Sequence, residues 1–378
     1  MNLRVRTMRA VYLGSLLLAI PLLAPTRARA SEPAVVEQRF PKDAVSRPHL
    51  EAPAIPAPPK LSLPNAATSQ LLLSQKELQV PSHLRLMVFA PHPDDETLGA
   101  GGFIQRVLAK GGNVRVVFVT NGDGYVDGVR REAKRIVTSR ADFIAYGERR
   151  HNEALRALSD LGLARSDGVF LGFPDDGIDD LWAGHWSTRR PYTSPYTRFD
   201  RPPYKDSLSR RVEYAGVDLE TEIVATLLDF KPDWVLMPDP RDRHPDHCTT
   251  GVFVLDALRK LREEGTAPFD AIQVLSYLVH YPDYPASPEW VKEIVGAGVG
   301  GSPTARRVLS AARWLNLPLT AGELIVKRHA VAAYESQVEV MNPFMKQFLR
   351  PVELFGQFDA AQVVTVPRAY AARFRHAK

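Results

Sequence analysis

The chain alternates between short apolar runs and longer segments of helical periodicity from residue 84 onward. Residues 84–91 (LRLMVFAP) and 113–120 (NVRVVFVT) are nearly continuous apolar runs, which are typical of strands buried on both faces of a parallel sheet. The same patterns predict strands at 168–173, 233–237 and 271–280, and helices at 95–110, 150–161, 219–230 and 245–264. Alternating strands and helices predict an α/β, doubly wound, mainly parallel sheet with helices on both faces. Ligands bind at the carboxyl ends of the strands in such sheets, so polar residues that follow strands are the first candidates for a functional site.

The first 30 residues have the layout of a secretory signal peptide. Arginines precede an apolar run at 10–24, and an Ala-x-Ala site ends at Ala30. The run is shorter than the ~20 residues of a membrane-spanning helix, and Pro21 interrupts it. We therefore predict cleavage of residues 1–30 and an exported protein, periplasmic or secreted, with no integral membrane span afterwards. Retention of this segment as a membrane anchor is the alternative.

The composition changes again between the predicted signal peptide and the first strand. Residues 31–83 are rich in Pro and Ala and lack sustained periodicity, which indicates a semi-rigid linker or a surface-wrapping segment. Residues 84–378 are predicted to form one domain. Within this domain, residues 179–211 are a long irregular stretch with six aromatic residues, which either stack on sugar rings or form a small local core.

Charge and cysteine content exclude several classes of protein. The formal net charge of +5 includes five arginines in residues 1–30, which hold no acidic residue, so the remainder of the chain is neutral. The charge therefore gives no indication of a nucleic-acid partner. Cys248 is the only cysteine, so an intramolecular disulfide is impossible. No G-x-S-x-G or P-loop pattern occurs, so a serine hydrolase and a nucleotide-binding protein are not supported.

Two segments that are far apart in the sequence share one design. These are the first motif, His92-Pro93-Asp94-Asp95, and the second motif, His244-Pro245-Asp246-His247. Each follows a predicted buried strand, directly or after a short loop, and each opens a helix. Proline suits the first position of a helix, so the preceding histidine stands at the end of the strand. Residues three apart are neighbours on a helix, so each motif can bring its first and fourth side chains together.

The two motifs together place three imidazoles and two or three carboxylates at one edge of the sheet. Such a cluster indicates a metal site. Two histidines and one carboxylate are a typical ligand set for a catalytic zinc ion, with one position left for water. Asp94 is placed to accept a proton from that water, and His244 is placed to donate to an oxyanion or a leaving nitrogen. A single H-P-D segment can also be a simple helix cap. Two such segments at the ends of two strands favour catalysis over capping.

The segment 90–96 (APHPDDE), taken with the second motif, resembles the signature pair of the LmbE-like, or PIG-L, family of zinc-dependent N-acetylglucosaminyl deacetylases. The segments 120–123 (TNGD), 150–153 (RHNE), 171–175 (LGFPD) and 327–337 also follow the order of that family, so the resemblance covers about residues 84–355. It implies a Rossmann-like fold, in agreement with the pattern of strands and helices. The implied zinc ligands are His92, Asp95 and His247.

The resemblance also implies roles for residues around the metal. Asp94 is the implied general base, and His244 is the implied acid or oxyanion stabiliser, with Asp246 orienting it. Arg150, and Asn121 in the 120–123 segment, are the implied substrate-binding residues.

The predicted activity is removal of the acetyl group from an N-acetylated amino sugar, with release of acetate and a free amine. For an exported enzyme, we expect N-acetylated hexosamines in envelope or extracellular glycans, or an acylated glycoconjugate. One alternative is an exported zinc amidase that acts on a non-sugar amide. Another is an exported glycan-binding protein that keeps the fold without turnover. The spare Asp94 and His244 argue against the latter, because binding alone does not require a base.

Overall fold

The computed structural model describes residues 76–281, 284–285 and 313–358. The predicted signal peptide (1–30) and most of the predicted linker (31–83) lie outside these residues. Among the helices that the structure describes, none combines the length and the apolar character needed to cross a bilayer.

Strands and helices alternate along most of the described chain. The strands are β1 (Lys76–Glu77), β2 (Arg85–Ala90), β3 (Asn113–Thr120), β4 (Gly168–Phe173), β5 (Trp234–Pro238), β6 (Gln273–Tyr277), β7 (Arg313–Pro318) and β8 (Val352–Phe358). The helices are α1 (Asp95–Ala109), α2 (Val126–Ala133), α3 (Arg140–Asp160), α4 (Ile178–Ala183), α5 (Gly216–Phe230), α6 (Pro245–Glu263), α7 (Ala321–Ala332) and α8 (Glu335–Lys346).

The strands form one sheet in the order β1-β7-β8-β6-β5-β2-β3-β4. β4, β3, β2, β5 and β6 run parallel to one another, and β8 lies antiparallel between β6 and β7. The predicted doubly wound, mainly parallel α/β sheet is therefore confirmed. β8 adds the antiparallel component.

The two motifs meet at the point where the strand order reverses. From β2 the chain moves outward through β3 and β4, and it then returns to place β5 on the other side of β2. A crevice opens at the carboxyl ends of the strands at such a switch point. The first motif follows β2, and the second follows β5 after a short loop, so the sheet places both motifs at this crevice.

Side chains from both faces of the sheet are buried. Leu86 and Val88 of β2 pack beneath α1, α3, α7 and α8, whereas Met87 and Phe89 face the side covered by α4, α5 and α6. This two-sided burial explains why the strand reads as a continuous apolar run rather than an alternating one.

Two boundaries differ most from the predictions. α3 begins at Arg140, ten residues before the predicted helix, because the Asp142 carboxylate accepts a hydrogen bond from the backbone N–H of Ser139 and caps the helix. The fold also includes residues 76–83, which were assigned to the linker. β1 pairs with β7, and Leu78 and Val80 are buried in the core.

Candidate metal centre and active site

The turn that connects β2 to α1 presents two of the predicted ligands. Asp95 is the first residue of α1, and its Oδ2 accepts a hydrogen bond from the backbone N–H of His92 at 2.9 Å. Between them, Asp94 takes the capping position with a φ of 129°, which an L-residue seldom adopts. The second motif enters α6 two positions earlier, with Pro245 as the first helical residue and His244 as the cap.

Three donor atoms from the two motifs form an equilateral triangle. His92 Nδ1, Asp95 Oδ2 and His247 Nε2 lie 3.2 Å from one another. A tetrahedral zinc ion with bonds of about 2.0–2.1 Å holds its ligand atoms about 3.3 Å apart. All three residues are buried. The residues present therefore fit a zinc ion, in a set of two histidines and one carboxylate.

The remaining nitrogen of each histidine in the triangle faces a carboxylate. His92 Nε2 lies 3.0 Å from Asp175 Oδ1 and 3.2 Å from Asp246 Oδ2, and His247 Nδ1 lies 3.5 Å from Asp242 Oδ2. Histidine ligands in metalloproteins usually have such a partner, which fixes the tautomer and the orientation of the ring. Both histidines of the triangle thus have a carboxylate on the side that faces away from the triangle, which is the usual arrangement around a metal ligand.

The charges around the triangle favour a cation. Burial would lower the pKa of His92, but nearby carboxylates, that of Asp175 first, raise it well above its usual value. Burial would also lower the pKa of His247, but Asp95 and Asp242 raise it to about 9. The pocket thus stabilises positive charge between buried carboxylates. A divalent cation supplies this charge when it displaces the protons of the imidazoles, so its affinity rises with pH.

Asp94, the implied general base, is buried beside this triangle. Burial raises the pKa of its carboxyl group to about 8, whereas the charge of Arg150 acts to lower it. Arg150 Nη2 lies 3.2 Å from Asp94 Oδ2. The predicted base is thus paired with a buried cation of the fold.

His244 and Asp246 do not form the pair that the resemblance implies. The Asp246 carboxylate contacts His92 and accepts hydrogen bonds from the backbone N–H groups of Asp176 and Ile178. His244 instead accepts a hydrogen bond at Nδ1 from the backbone N–H of Asp246, at 3.3 Å. Its ring centroid lies 4.9 Å from that of His92. The structure therefore places the Asp246 carboxylate on His92, and the backbone of Asp246 on His244.

The two implied substrate-binding residues are both buried and border this site. Arg150 donates to the carbonyl oxygens of Gly122 and Pro93, so it joins the ends of β3 and β2 from α3. A Cβ on Gly122 would lie 1.9 Å from the Arg150 guanidinium, so only glycine fits there. Asn121 Nδ2 contacts the Gly147 carbonyl at 3.5 Å, and its buried Oδ1 has no hydrogen-bond partner within the described part of the chain.

Three further residues belong to the site, although no role was assigned to them from the sequence. Asp175 follows β4 after a single proline, which is the same signal that identified His92 after β2. Asp242 lies in the loop between β5 and α6, and its Oδ2 accepts the backbone N–H of His280 at 2.9 Å. The His280 ring lies 4.8 Å from the His247 ring, and it was included in the predicted strand at 271–280 although β6 ends at Tyr277. Sequence order does not indicate these contacts, because each comes from a different strand end.

The aromatic stretch 179–211 forms local core in part. Trp182 is buried and packs edge-on against Trp186 and Phe253, with ring centroids 5.4 and 4.9 Å away. Tyr204 is also buried and donates its hydroxyl hydrogen bond to Asp123. Trp182, Trp186 and Tyr204 of this stretch therefore act in packing.

Tyr196, in the same stretch, approaches the edge of the metal centre. It is half-buried, and its hydroxyl donates to Asp176 Oδ2 at 2.8 Å. The backbone N–H of Asp176 in turn donates to Asp246, the carboxylate that contacts His92. The aromatic stretch is thereby connected to His92 through three hydrogen bonds.

Comparison with known proteins places these residues in a family context. Residues 87–258 match the family model described as PIG-L, GlcNAc-PI de-N-acetylase. A 1D-myo-inositol 2-acetamido-2-deoxy-alpha-D-glucopyranoside deacetylase from Mycobacterium sp. (strain KMS) is 34% identical over 169 residues, which cover 44% of this chain and 47% of the relative. The corresponding deacetylase of Rhodococcus jostii (strain RHA1) is 36% identical over 172 residues, 44% of this chain and 50% of the relative. The chain thus spans about half the length of the curated relatives it matches.

Solved structures of deacetylases are also similar to this chain. N,N'-diacetylchitobiose deacetylase from Pyrococcus horikoshii aligns with a TM-score of 0.43 and 17% identity, over 73% of this chain and 84% of that protein. The A40926 pseudoaglycone deacetylase aligns with a TM-score of 0.47 and 19% identity, over 73% of this chain and 97% of that protein. The family match covers both motifs and the strands that carry them. Residues 87–258 of this chain are therefore similar to the PIG-L, or LmbE-like, family.

Proposed function

We propose that this protein is an exported, zinc-dependent hydrolase that removes the N-acetyl group from an amino sugar and releases acetate and a free amine. The observation that carries the proposal is the triangle of His92, Asp95 and His247 donors, with Asp94 and His244 beside it as separate proton-handling groups. The family domain and the names of the relatives, which specify a 2-acetamido sugar, support this substrate class. Export is supported by the sequence of residues 1–30 alone.

His92 Nδ1, Asp95 Oδ2 and His247 Nε2 would hold the zinc ion. When bound, zinc supplies a Lewis acid for the acetyl carbonyl and lowers the pKa of a water molecule. Asp175 and Asp246 hold the His92 ring in place, and the donors stay within the spacing that zinc requires.

Asp94 would accept the proton of the attacking water at its carboxylate. Burial raises the pKa of Asp94, which disfavours the ionised form that a base needs. The Arg150 guanidinium at 3.2 Å acts in the opposite sense and favours the carboxylate. Arg150 thus serves to keep the base ionised, in addition to any contact with substrate.

His244 would stabilise the oxyanion as a neutral imidazole. Burial, together with the neighbouring imidazoles of His92 and His247, lowers its pKa well below the usual value. Its Nδ1 accepts the backbone N–H of Asp246. A neutral imidazole that accepts at Nδ1 carries its proton at Nε2. Nε2 is therefore the atom that can donate a hydrogen bond to developing negative charge.

The test compares the wild type with Asp94→Asn, a substitution that keeps the size of the side chain. We expect about one zinc ion per chain in both proteins, and acetate release from N-acetylglucosamine or its oligomers that is about 10²–10⁴-fold slower in the variant. His92→Ala is the matched control, because it should lose the metal as well as the activity.

Other outcomes would overturn the proposal. Absence of metal from the wild type would refute the metal centre. Zinc binding without turnover of any acyl substrate would favour the glycan-binding alternative. Turnover of simple amides in preference to acetamido sugars would favour the amidase.

A further inference from the structure

The loop between α2 and α3, residues 134–139, exposes two adjacent apolar side chains. Ile136 is 82% exposed and Val137 is 84% exposed. Among the residues that the structure describes, the third exposed large apolar side chain is Leu228, at 38%. Neighbouring β-branched side chains that project fully into water are unusual on a soluble surface and often mark a site of interaction.

The exposed pair is flanked by more cationic than acidic side chains. Residues 130–140 hold five cationic side chains and one acidic side chain, Glu132. Three of these cations have an acidic partner: Arg130 Nη1 lies 3.8 Å from Asp127 Oδ1, Arg131 Nε lies 3.6 Å from Glu339 Oε2, and Arg135 pairs with Asp142. Residues 127–142 still hold five cationic and three acidic side chains, so the net charge of the loop and its flanks is positive. The loop therefore has two apolar side chains at its tip and cationic side chains on either side of them. The cationic residues are Arg130, Arg131, Lys134, Arg135 and Arg140.

The topology places this loop at the same edge of the sheet as the metal centre. α2 begins just after the turn at the carboxyl end of β3, and α3 then returns toward the start of β4. Arg150 of α3 contacts Asp94 and the carbonyl of Gly122, so this helix borders the site directly. A surface that contacts the loop would therefore lie on the side of the molecule where the site is.

We propose that the 134–139 loop docks this protein on a bilayer that contains anionic lipids. Ile136 and Val137 enter the headgroup boundary, where apolar side chains leave water. The surrounding arginines and Lys134 attract the negative headgroups, in the arrangement typical of peripheral membrane contacts. If the proposed function holds, docking would present the site to acetamido sugars on membrane-anchored glycoconjugates, and this part of the proposal rests on that function.

The first experiment measures insertion of the loop itself. A polarity-sensitive fluorophore is attached at Val137→Cys in the full chain, and at Leu228→Cys as the matched control. Cys248 is buried and so reacts little. Vesicles of phosphatidylglycerol and phosphatidylcholine should shift the emission of the label at position 137 to the blue and leave the label at 228 unchanged. Vesicles of phosphatidylcholine alone should have little effect on either.

The second experiment measures affinity by vesicle sedimentation. Ile136→Ser combined with Val137→Ser should weaken binding to the anionic vesicles about tenfold or more, whereas Leu228→Ser should not. The proteins are compared as the mature chain, without the predicted signal peptide 1–30, and raising the salt concentration should weaken binding. The proposal is overturned if the label at 137 shows no shift, or if the double variant binds as tightly as the wild type. Acetate release in solution tests the hydrolase separately, so the two proposals can fail independently.

Discussion

Replacing Asp242 by asparagine tests the support of the metal centre most directly. Asp242 is fully buried, and its Oδ2 lies 3.5 Å from His247 Nδ1 while it accepts the backbone N–H groups of Val279 and His280 at 2.9 Å each. Its Oδ1 accepts the backbone N–H of His244 at 3.1 Å. An asparagine whose carbonyl oxygen replaces Oδ2 keeps the first two hydrogen bonds but removes the charge that faces the imidazole.

The expected loss follows from the contact with His247. Removal of a carboxylate that supports a ligating histidine typically lowers metal affinity 10–100-fold, which corresponds to about 1.4–2.8 kcal/mol. Competition by protons changes this loss with pH. Burial lowers the pKa of His247, but Asp95 and Asp242 raise it to about 9, so at pH 7 the wild type must release a proton to bind zinc. The variant has less of this competition, so its deficit should be small at pH 7 and largest near pH 9.

Zinc affinity is measured by competition with a chromophoric chelator between pH 7 and 9. Asp239→Asn is the matched control, because Asp239 is also buried in the same loop but binds Arg241 and Ser276 rather than a histidine of the triangle. Equal affinities of the wild type and Asp242→Asn at pH 9 would refute the inference that Asp242 supports a metal ligand. A deficit that grows as the pH falls would refute the argument from proton competition.

Two further substitutions test buried or partly buried charged groups of the fold. Lys327 is buried, with its Nζ 2.7 Å from Glu353 Oε1 and 2.8 Å from the Leu98 carbonyl, so Lys327→Met should lower the free energy of unfolding by about 3–5 kcal/mol in denaturant titrations. Adding Glu353→Gln should recover part of this loss, and no recovery would argue against an uncompensated buried charge. Burial raises the pKa of Glu222 from 4.5 to about 7. Because the folded pKa exceeds the unfolded one, the wild type should lose stability relative to Glu222→Gln as the pH rises from 4.5 through 7, by about 1–2 kcal/mol after allowance for partial exposure. The same difference at pH 4 and pH 8 would contradict this.

The central strands could be predicted because burial on both faces leaves an uninterrupted apolar run. β3 and β4 have the predicted boundaries for this reason. β8 could not be predicted in this way, because its buried Glu353 interrupts the apolar pattern and is stabilised by Lys327, a partner distant in sequence. The short edge strand β1 has exposed side chains and depends on pairing with β7, so it carries no apolar signal of its own.

The composition of the site could be predicted further than its contacts. Spacing within the first motif was sufficient to bring His92 and Asp95 together, since that contact lies within the single turn that precedes α1. The contact of the Asp246 carboxylate with His92 depends on which strand neighbours β2, and a single sequence does not state this. The same is true of Asp242 and His280, which come from loops after β5 and β6.

The arrangement of β2 and β5 has a consequence for how long the protein survives. The two strands pair through Leu86 to Val88, and the donor triangle lies just beyond this short contact, with two atoms from one half of the sheet and one from the other. An ion bound there would link the β2 half of the sheet to the β5 half. It would oppose local opening between them by a free energy that grows with the logarithm of the free ion concentration. A shortage of metal would then lower the amount of protein as well as its activity, because chains without the bound ion would open more often and be degraded sooner.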